Sequence, residues 1–338
     1  MSLPIQIGTP CFQIAFIDVG QGDCTIAYEG TSKAAIVIDC GEGSSARQYL
    51  EQLAPDGLSI RMIAITHRHV DHFAGFLELL SAADLSDLKS VVWSPTHNGR
   101  LSGDRARAVI RAIRQTIKER SPSKPAIVFA DASYSFGRLH CNVLHPSADD
   151  ILDADQGEYR TVELSNSLSL VLELIYSDAN QTYTFIIGGD TGPTDWVRIF
   201  ARYPDLTSTI LRVPHHGAWR TQDGSGLPLG KVLEKLQPTV AVISIGSGNQ
   251  YGHPSANTLQ ALLACKSITR ILCTEVGRLC CGKPFKARQP CAGTVTMTIG
   301  LDGLDIQPSD TAHRRIVSAL PSPRCLQEPE GITSTIAQ

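Results

Sequence analysis

The sequence predicts an α/β (α+β) protein in which two β-sheets lie between outer layers of helices. Strand and helix patterns alternate through both halves of the 338 residues, as expected when helices cover the outer faces of sheets. No glycine-rich phosphate loop opens a helix after the first predicted strand, which argues against a dinucleotide-binding fold. A hydrophobic content of 42% and a charged content of 19% are typical of a globular protein with a sizeable core.

The first half of the chain alternates short apolar strands with helices. Apolar runs predict strands over 12–17, 24–28, 33–41, 60–66 and 91–95, and helices are predicted over 45–54 and after His72.

The clearest helix is predicted over 104–120. Its apolar face consists of Val109, Ile110, Ile113 and Ile117, and its basic face consists of Arg107, Arg111, Arg114 and Lys118. A basic face is ordinarily a solvated surface, but it could also contact the phosphates of a polyanionic substrate.

The second half is richer in strands. They are predicted over 126–130, 139–145, 168–176, 182–189, 208–213, 240–246, 269–275 and 293–300, with helices over 195–203 and 255–265. The strand at 293–300 is expected to close the ordered part. We expect residues 10–317 to form one domain and residues 318–338 to form a flexible tail, because that segment contains proline and serine and few apolar residues.

Charge and hydropathy indicate in which cellular environment the protein is expected. The formal net charge of −3 gives no overall attraction to nucleic acid or to acidic membranes, although it allows a local basic patch. No apolar run reaches the length of a membrane span, and the first residues lack the pattern of a secretory signal. We therefore expect a cytoplasmic protein that does not associate with membranes; the sequence identifies no protein partner.

The ten cysteines are expected to be reduced thiols. Four of them fall in one short stretch, namely Cys273, Cys280, Cys281 and Cys291. This stretch could hold a structural zinc, although its spacing is not a paired CxxC pattern. The alternative is that Cys273 is a buried strand residue and the others are loop thiols.

The motif HRHVDH at 67–72 carries the main chemical signal. It places His67, His69, Asp71 and His72 directly after a buried strand. Imidazole nitrogens and carboxylate oxygens are the ligands that Zn²⁺, Mn²⁺ or Fe²⁺ accept. Arg68 and Val70 alternate with these residues, and we expect both to point away from the site.

Further candidate ligands also follow predicted strands. Asp190 ends the run TFIIGGD, His215 and His216 lie in VPHHG at 213–217, and His253 lies in YGHP just before a helix. Asp190 is a plausible bridging carboxylate because a core role for an aspartate there is hard to find. Each histidine alone could be structural, but all share the same arrangement at a strand end.

These motifs, together with Asp39, resemble the metallo-β-lactamase superfamily. DVGQGD (18–23), IDCG (38–41), SNSLSLVL (165–172), GGDTG (188–192), VPHHG (213–217) and SIGSGNQYGHPS (244–255) are similar, in order, to the hydrolase domain of competence-type DNA-uptake proteins. The resemblance runs from about residue 12 to 265 and implies a four-layer αββα metallo-β-lactamase sandwich. Because the membrane segments of those proteins are missing, it implies a stand-alone soluble form and does not extend to transport.

The resemblance implies two divalent metal ions, Zn or Mn, as cofactors. It implies His67 and His69 as ligands of one metal, Asp71 and His72 as ligands of the other, and Asp190 as the bridge. Of the later histidines, we favour His215 as a further ligand. Asp71, His216 and His253 are the candidate catalytic residues, and His253 could instead be a ligand or a substrate contact. Asp39 would orient a ligand histidine.

The sequence departs from the superfamily pattern at Asn166. A histidine ligand is often found there, so one metal could have an incomplete set of protein ligands. The expected activity is metal-assisted hydrolysis of a phosphodiester or of nucleic acid. Hydrolysis of a lactone, amide or thioester on the same metals is the alternative, and a non-catalytic metal-binding partner protein is a third.

Overall fold

The strands of the protein form two sheets. The computed structural model describes residues 11–53, 59–95, 104–155, 161–179, 181–221, 225–283, 287–300 and 303–326. Its strands are β1 (Phe12–Phe16), β2 (Thr25–Glu29), β3 (Ala34–Ile38), β4 (Ser59–Ile65), β5 (Ser90–Trp93), β6 (Pro125–Ile127), β7 (Ser133–Phe136), β8 (Leu139–His145), β9 (Val171–Ser177), β10 (Thr182–Ile187), β11 (Ile210–Arg212), β12 (Val240–Ile243), β13 (Arg270–Cys273), β14 (Val295–Gly300) and β15 (Gly303–Gln307).

Each sheet combines antiparallel and parallel pairing. The first has the order β15-β14-β1-β2-β3-β4-β5-β6, and the second has the order β13-β12-β11-β10-β9-β8-β7. Pairing is parallel from β3 to β6 in the first sheet and from β10 to β13 in the second. In each parallel half, the carboxyl ends of the strands therefore lie at one edge of the sheet, where the connecting loops can converge.

The helices lie between these strands in the chain. They are α1 (Ser45–Leu53), α2 (Val70–Phe73), α3 (Phe76–Ala82), α4 (Asp104–Arg120), α5 (Ala148–Asp155), α6 (Thr161–Ser167), α7 (Pro193–Arg202), α8 (Leu229–Leu236), α9 (Ala256–Ala264), α10 (Arg278–Cys281) and α11 (Asp310–Ser318), with a 3₁₀ turn at Pro214–Gly217. None of the helices in the described part of the chain combines the length and the apolar composition that a membrane crossing requires.

Three apolar layers separate the helices and sheets. Between the two sheets, residues such as Ile14 of β1 and Phe185 of β10 belong to one buried cluster. On the outer side of the first sheet, Ala15 packs in a cluster that includes Ile113 of α4. On the outer side of the second sheet, the cluster includes Trp196 of α7 and residues of α8 and α9. This αββα layering confirms the predicted sandwich.

The long amphipathic helix is confirmed at its predicted bounds, Asp104–Arg120, with Ile110, Ile113 and Ile117 buried. The predicted strand at 168–176 begins later, at Val171, because Thr161–Ser167 is helical. This helix places Asn166 in the last turn before the strand.

The expectation that residues 293–300 close the ordered part is wrong. Strand β15 pairs antiparallel with β14 along its whole length. Helix α11 follows, and Ser309 caps it by accepting a hydrogen bond from the backbone of Ala312 at 3.3 Å. Part of the predicted tail also packs on the domain, since Cys325 is buried. Residues 327–338 of that tail lie outside the described residues.

Candidate metal centre

The candidate ligands lie in loops that follow directly on buried strands. Strand β4 leads into the HRHVDH motif, β10 leads through two glycines to Asp190, and β11 leads into the 3₁₀ turn with His215 and His216. The two sheets meet here, because the backbone N–H of Leu170 donates to the carbonyl of Thr66 at 2.8 Å. The loops of both sheets therefore converge on one place.

One donor group consists of His67, His69 and Asp190, whose candidate ligand atoms all lie within 4.8 Å of one another. His67 Nε2 is 3.0 Å from His69 Nδ1 and 3.5 Å from Asp190 Oδ2. His215 lies beside this group, with its Nε2 3.8 Å from Asp190 Oδ2.

A second donor group consists of Asp23, His72, Asp190 and His216. His72 Nε2 is 3.4 Å from Asp190 Oδ1, and His216 Nε2 is 4.0 Å from the same oxygen. Asp71 joins the group through Oδ2, which is 3.4 Å from His216 Nε2. Asp190 therefore belongs to both groups and turns one carboxylate oxygen to each.

Buried polar atoms without partners support a cation at this position. His72 Nε2, Asp190 Oδ1 and His216 Nε2 are inaccessible to solvent and have no hydrogen-bond partner among the described residues. Leaving polar atoms unsatisfied in a buried site is costly. A divalent metal ion fits, because imidazole nitrogen and carboxylate oxygen are its usual ligands. The residues present therefore match the chemistry of a metal site.

The electrostatics of the site favour the same conclusion. Burial lowers the pKa of His67 and of His69, so both rings are neutral and have a lone pair to offer. Burial opposes ionisation of Asp190, but the surrounding histidines, His72 foremost, hold its pKa well below the ordinary value. Burial also opposes a charge on His72, yet Asp190 and Asp39 raise its pKa well above the ordinary value. The carboxylates thus stabilise positive charge at this place.

Asp39 holds the ring of His72 in position. Its Oδ2 accepts hydrogen bonds from His72 Nδ1 at 2.8 Å and from the Thr66 hydroxyl at 2.7 Å. Its Oδ1 accepts from the backbone of Thr66 at 2.8 Å. A carboxylate on one ring nitrogen fixes the tautomer and leaves the other nitrogen free as a ligand.

The glycine-rich loop at 18–23 passes directly against the HRHVDH motif. The backbone N–H of Asp23 donates to the carbonyl of Asp71 at 3.1 Å. Gly22 has a φ of +149°, and a Cβ at this position would lie 2.4 Å from the Asp71 carbonyl oxygen. Only glycine allows the two backbones to approach this closely. The approach places the Asp23 side chain next to His72.

Arg212 is a site residue that the sequence analysis missed. It is fully buried, its Nη1 donates to the carbonyl of Gly189 at 2.8 Å, and its Nη2 forms an ion pair with Asp23. Burial lowers the pKa of Arg212 to about 9. Asp23 Oδ2 in turn lies 3.5 Å from His72 Nδ1. The signal was an arginine in the otherwise apolar run ILRV, immediately before VPHHG.

His215 and His216 diverge although they are neighbours in the chain. Both have left-handed backbone conformations, with φ of 52° and 51°, which is strained for residues with a Cβ. His216 is buried and its Nδ1 donates to the carbonyl of Ser244 at 2.8 Å, which turns Nε2 toward Asp71. His215 is one-third exposed, and its Nε2 lies 3.3 Å from Asn166 Nδ2.

These donor groups open into a cleft with a volume of about 1040 Å³. Its lining includes Asp71, Asn166, Arg220, Tyr251 and His253. The ring of His253 lies 6.0 Å from that of His215 and 6.5 Å from that of His216. His253 is therefore near the donor groups without belonging to either.

Val70 does not point away as expected, because it lines the same cleft. The expectation assumed that the alternation of strand β4 continues through the motif. Helix α2 begins at Val70 instead, so side chains after His69 follow a helical rather than a two-residue period.

Comparisons with known proteins give a family match and a relative. Residues 17–145 match the family model of the metallo-beta-lactamase superfamily. ComE operon protein 3 of Bacillus subtilis (strain 168) is 24% identical over 274 residues, which cover 75% of this chain and 31% of that protein. The chain thus spans about a third of the length of this relative.

The chain also has low similarity to solved structures. The metallo-beta-lactamase fold protein YhfI from Bacillus subtilis is 11% identical with a TM-score of 0.43, over 77% of this chain and 95% of that one. A long form RNase Z from yeast is 12% identical with a TM-score of 0.44, over 78% and 41%. The family match assigns residues 17–145 to a metallo-beta-lactamase superfamily domain, and the two sheets flanked by helices have the layering of that fold; members of this superfamily are mostly hydrolases that bind divalent metal ions.

Proposed function

We propose that the protein is a two-metal phosphodiester hydrolase that acts on nucleic acid. The observation that carries the proposal is Asp190, which contributes one carboxylate oxygen to each donor group. A carboxylate shared by two donor groups can bridge two metal ions. When bound, two divalent ions supply an activated water and neutralise charge on the substrate oxygen.

His67, His69 and Asp190 would hold the first ion, and Asp71, His72, Asp190 and His216 would hold the second. This assignment exchanges the roles that the sequence suggested for His215 and His216. Two contacts favour the exchange: His216 Nε2 is buried and faces Asp71 at 3.4 Å, whereas His215 is partly exposed and faces Asn166.

Asp71 would bind as a carboxylate across the neutral pH range. Burial alone would raise its pKa, but the close approach of His216 Nε2 and the charges of His72 and His216 hold the pKa well below the ordinary value. An ionised Asp71 could also receive a proton from a water held in the site.

His253 would bind the substrate rather than a metal. Burial, assisted by His216 and His215, lowers its pKa to about 4. The ring is then neutral near pH 7, so one nitrogen carries a hydrogen that can be donated to a phosphoryl oxygen. Its backbone is fixed by Asn249, whose Oδ1 accepts from the His253 N–H at 3.0 Å.

The rim of the cleft favours a substrate with aromatic bases. Tyr251 is 61% exposed, and its ring stacks on that of His253 with centroids 5.6 Å apart and planes inclined by 13°. An exposed ring at the mouth of a cleft is a stacking platform for a base. Arg220, also in the lining and exposed, provides a positive charge for the backbone of the same substrate.

Basic residues next to the centre favour a polyanion. Arg114 on α4 is close enough to Arg68 of the HRHVDH motif to contribute, after burial, to a lowered pKa of Arg68. At the start of α4, Arg105 and Arg107 pair with Glu42 and Asp104. The positive face continues toward the carboxyl end of the helix with Arg111, Arg114 and Lys118. A row of positive charges of this kind can contact successive phosphates of a nucleic acid.

The test is a cleavage screen with the protein reconstituted with Zn²⁺ or Mn²⁺. We expect hydrolysis of single-stranded or double-stranded nucleic acid and of bis-(p-nitrophenyl) phosphate, and its loss in Asp190→Asn. His140→Gln is the control, because the His140 side chain is exposed on β8 and its ring contacts the Ser135 hydroxyl, away from the donor groups. Cleavage of lactones, amides or thioesters without phosphodiester cleavage would contradict the proposal and select the alternative hydrolase.

A further inference from the structure

We propose that the protein has a second, structural metal site, which binds zinc through Cys291, His313 and Cys325 and through a fourth thiolate from Cys273 or Cys280. It is independent of the hydrolytic centre and of the function proposed for that centre.

Three elements that are distant in the chain supply the first three ligands. Cys291 precedes β14, His313 lies on α11, and Cys325 follows α11. Their candidate ligand atoms lie within 4.8 Å of one another, and all three residues are buried. Cys291 Sγ is 3.6 Å from His313 Nε2. Two thiols and an imidazole that converge in this way are the usual ligands of structural zinc.

The thiols of Cys273 and Cys280 belong to the same buried cluster as Cys291 and Cys325. Burial raises the pKa of Cys273 and of Cys280, and in both cases the neighbouring Cys325 adds to the rise. The backbone is tied together here as well: Ala292 donates to the carbonyl of Cys273 at 2.8 Å, and Ser322 donates to the carbonyl of Cys280 at 3.0 Å. Structural zinc sites are almost always four-coordinate, and these two thiols are the candidates for the fourth ligand.

Buried cysteines are often only small apolar side chains, and Cys141 in the core between the sheets fits that description. The C-terminal cluster differs because it contains a buried histidine. Burial lowers the pKa of His313 to about 4, so its ring is neutral and can offer a lone pair. Among the described residues, the partner of its Nε2 is the Cys291 thiol. A thiol is a weak hydrogen-bond partner, whereas a zinc ion would satisfy the nitrogen fully.

The site would fasten the C-terminal segment to the second sheet. Helix α11 is exposed over most of its surface, with His313 and Val317 as its buried residues. Zinc bound by Cys291, by His313 on α11 and by Cys325 after it would therefore contribute directly to the stability of this segment.

The test uses sulfur as a signature, since the hydrolytic centre contains only nitrogen and oxygen donors. The full chain is stripped of metal and reconstituted with Co²⁺ alone. We expect an intense near-ultraviolet sulfur-to-cobalt charge-transfer band in the native sequence and also in Asp190→Asn, which disables the hydrolytic centre. The band should disappear in Cys325→Ser and His313→Gln, and it should persist in Cys11→Ser, which alters an exposed cysteine. One of the two variants Cys273→Ser and Cys280→Ser should weaken the band, namely the one that removes the fourth ligand.

A second measurement covers the case in which a variant fails to fold. Zinc-loaded Asp190→Asn protein is treated with an organomercurial that modifies thiols, and we expect release of one equivalent of zinc per chain. X-ray absorption at the zinc edge should show zinc–sulfur distances of about 2.3 Å. The proposal is wrong if neither sulfur signature is present, if neither Cys273→Ser nor Cys280→Ser affects the band, or if the isolated protein has a Cys291–Cys325 disulfide.

Discussion

The carboxylate of Asp39 accepts a hydrogen bond from His72 Nδ1 at 2.8 Å, and the opposite nitrogen of the same ring lies 3.4 Å from Asp190. Asp39 is itself held by the backbone and the hydroxyl of Thr66. The buried end of β4 thus fixes the direction in which His72 presents its free nitrogen. This chain of hydrogen bonds from Thr66 through Asp39 to His72, here called the relay, makes Asp39 a positioning residue for the centre.

Asp39→Asn should weaken metal binding or activity by roughly 10–100-fold, the usual cost of removing a partner that orients a ligand histidine. The amide keeps the volume but no longer offers a charged acceptor to both Thr66 and His72. Zn²⁺ affinity is measured by competition with a chromogenic chelator. The control is Asp205→Asn, an exposed aspartate away from the centre. Unchanged affinity and unchanged turnover in Asp39→Asn would show that the relay is not needed.

Arg212→Met should destabilise the fold by about 3–5 kcal/mol, because it leaves Asp23 buried without its ion-pair partner. The double variant Arg212→Met/Asp23→Asn should recover a large part of that loss, since no charge is then left unpaired. Urea unfolding of the metal-free proteins measures both effects. Arg202→Gln, which breaks an exposed pair with Asp131, should cost about 1 kcal/mol or less. Additive costs in the double variant would exclude the coupling.

Asn166→His should tighten binding at the first donor group by about tenfold, or about 1.4 kcal/mol. The Asn166 side chain lies 3.3 Å from His215 Nε2, and its Oδ1 is buried without a hydrogen-bond partner. A histidine here could add a nitrogen to a group that has only His67, His69 and Asp190. Titration with Zn²⁺ in a His216→Ala background reports this group alone. Asn166→Ala is the control and should not tighten binding; equal affinities in both variants would argue against an incomplete shell.

The sequence predicts the candidate centre best where its candidate ligands are close together in the chain. HRHVDH places four donors in one loop, so their convergence needs no knowledge of the fold, and Asp190 is marked by its place after an apolar strand. The choice between His215 and His216 depends on two left-handed backbone conformations, which residue types alone do not reveal. Arg212 escapes notice because its partner Asp23 is remote in sequence.

The C-terminal cluster illustrates the same limit. The sequence indicates Cys273 to Cys291 as a group, but His313 and Cys325 join it only through the packing of α11. The prediction of two sheets between outer helices is correct, because the spacing of apolar residues indicates which face of each strand or helix is buried. The missed helix α8 was visible in principle, since its buried residues Leu229, Val232, Leu233 and Leu236 follow a helical period.

Tyr251→Ala should raise KM for oligonucleotides with little change in kcat, if the protein hydrolyses nucleic acid as proposed. The loss of one stacked base is worth about 1–3 kcal/mol, and Tyr251 lies beyond the donor groups at the rim of the cleft. Tyr251→Phe is the matched control, because it keeps the ring that stacks on His253. Steady-state kinetics on a short single strand separate the two parameters. The stacking role is excluded if the alanine variant keeps the native KM, or if the phenylalanine variant loses as much.

The buried pair of His145 and Asp150 should make stability depend on pH. His145 Nε2 donates to the carbonyl of Ser167 at 2.6 Å, and its Nδ1 is 3.3 Å from Asp150 Oδ2. Burial opposes a charge on His145, but Asp150 and Asp195 raise its pKa above the ordinary value of 6.5. The imidazolium is therefore favoured in the folded state, so its stabilisation is fully present below pH 6.5 and is lost as the pH rises through the higher folded pKa.

Asp150→Asn should accordingly cost more stability at mildly acidic pH than at alkaline pH, with a difference of about 2 kcal/mol, the scale of a hydrogen bond to a charged group. Loss of the ion pair between Asp150 and Arg198 contributes equally at both pH values and cancels in the comparison. Denaturant unfolding across the pH series measures the difference. Asp131→Asn removes an aspartate paired with Arg202 but with no histidine partner among the described residues, so its cost should stay constant over the same range. If the cost of Asp150→Asn is the same at every pH, His145 remains neutral in the folded protein. Only a protonated His145 ring is stabilised by the Asp150 carboxylate, and that stabilisation depends on pH.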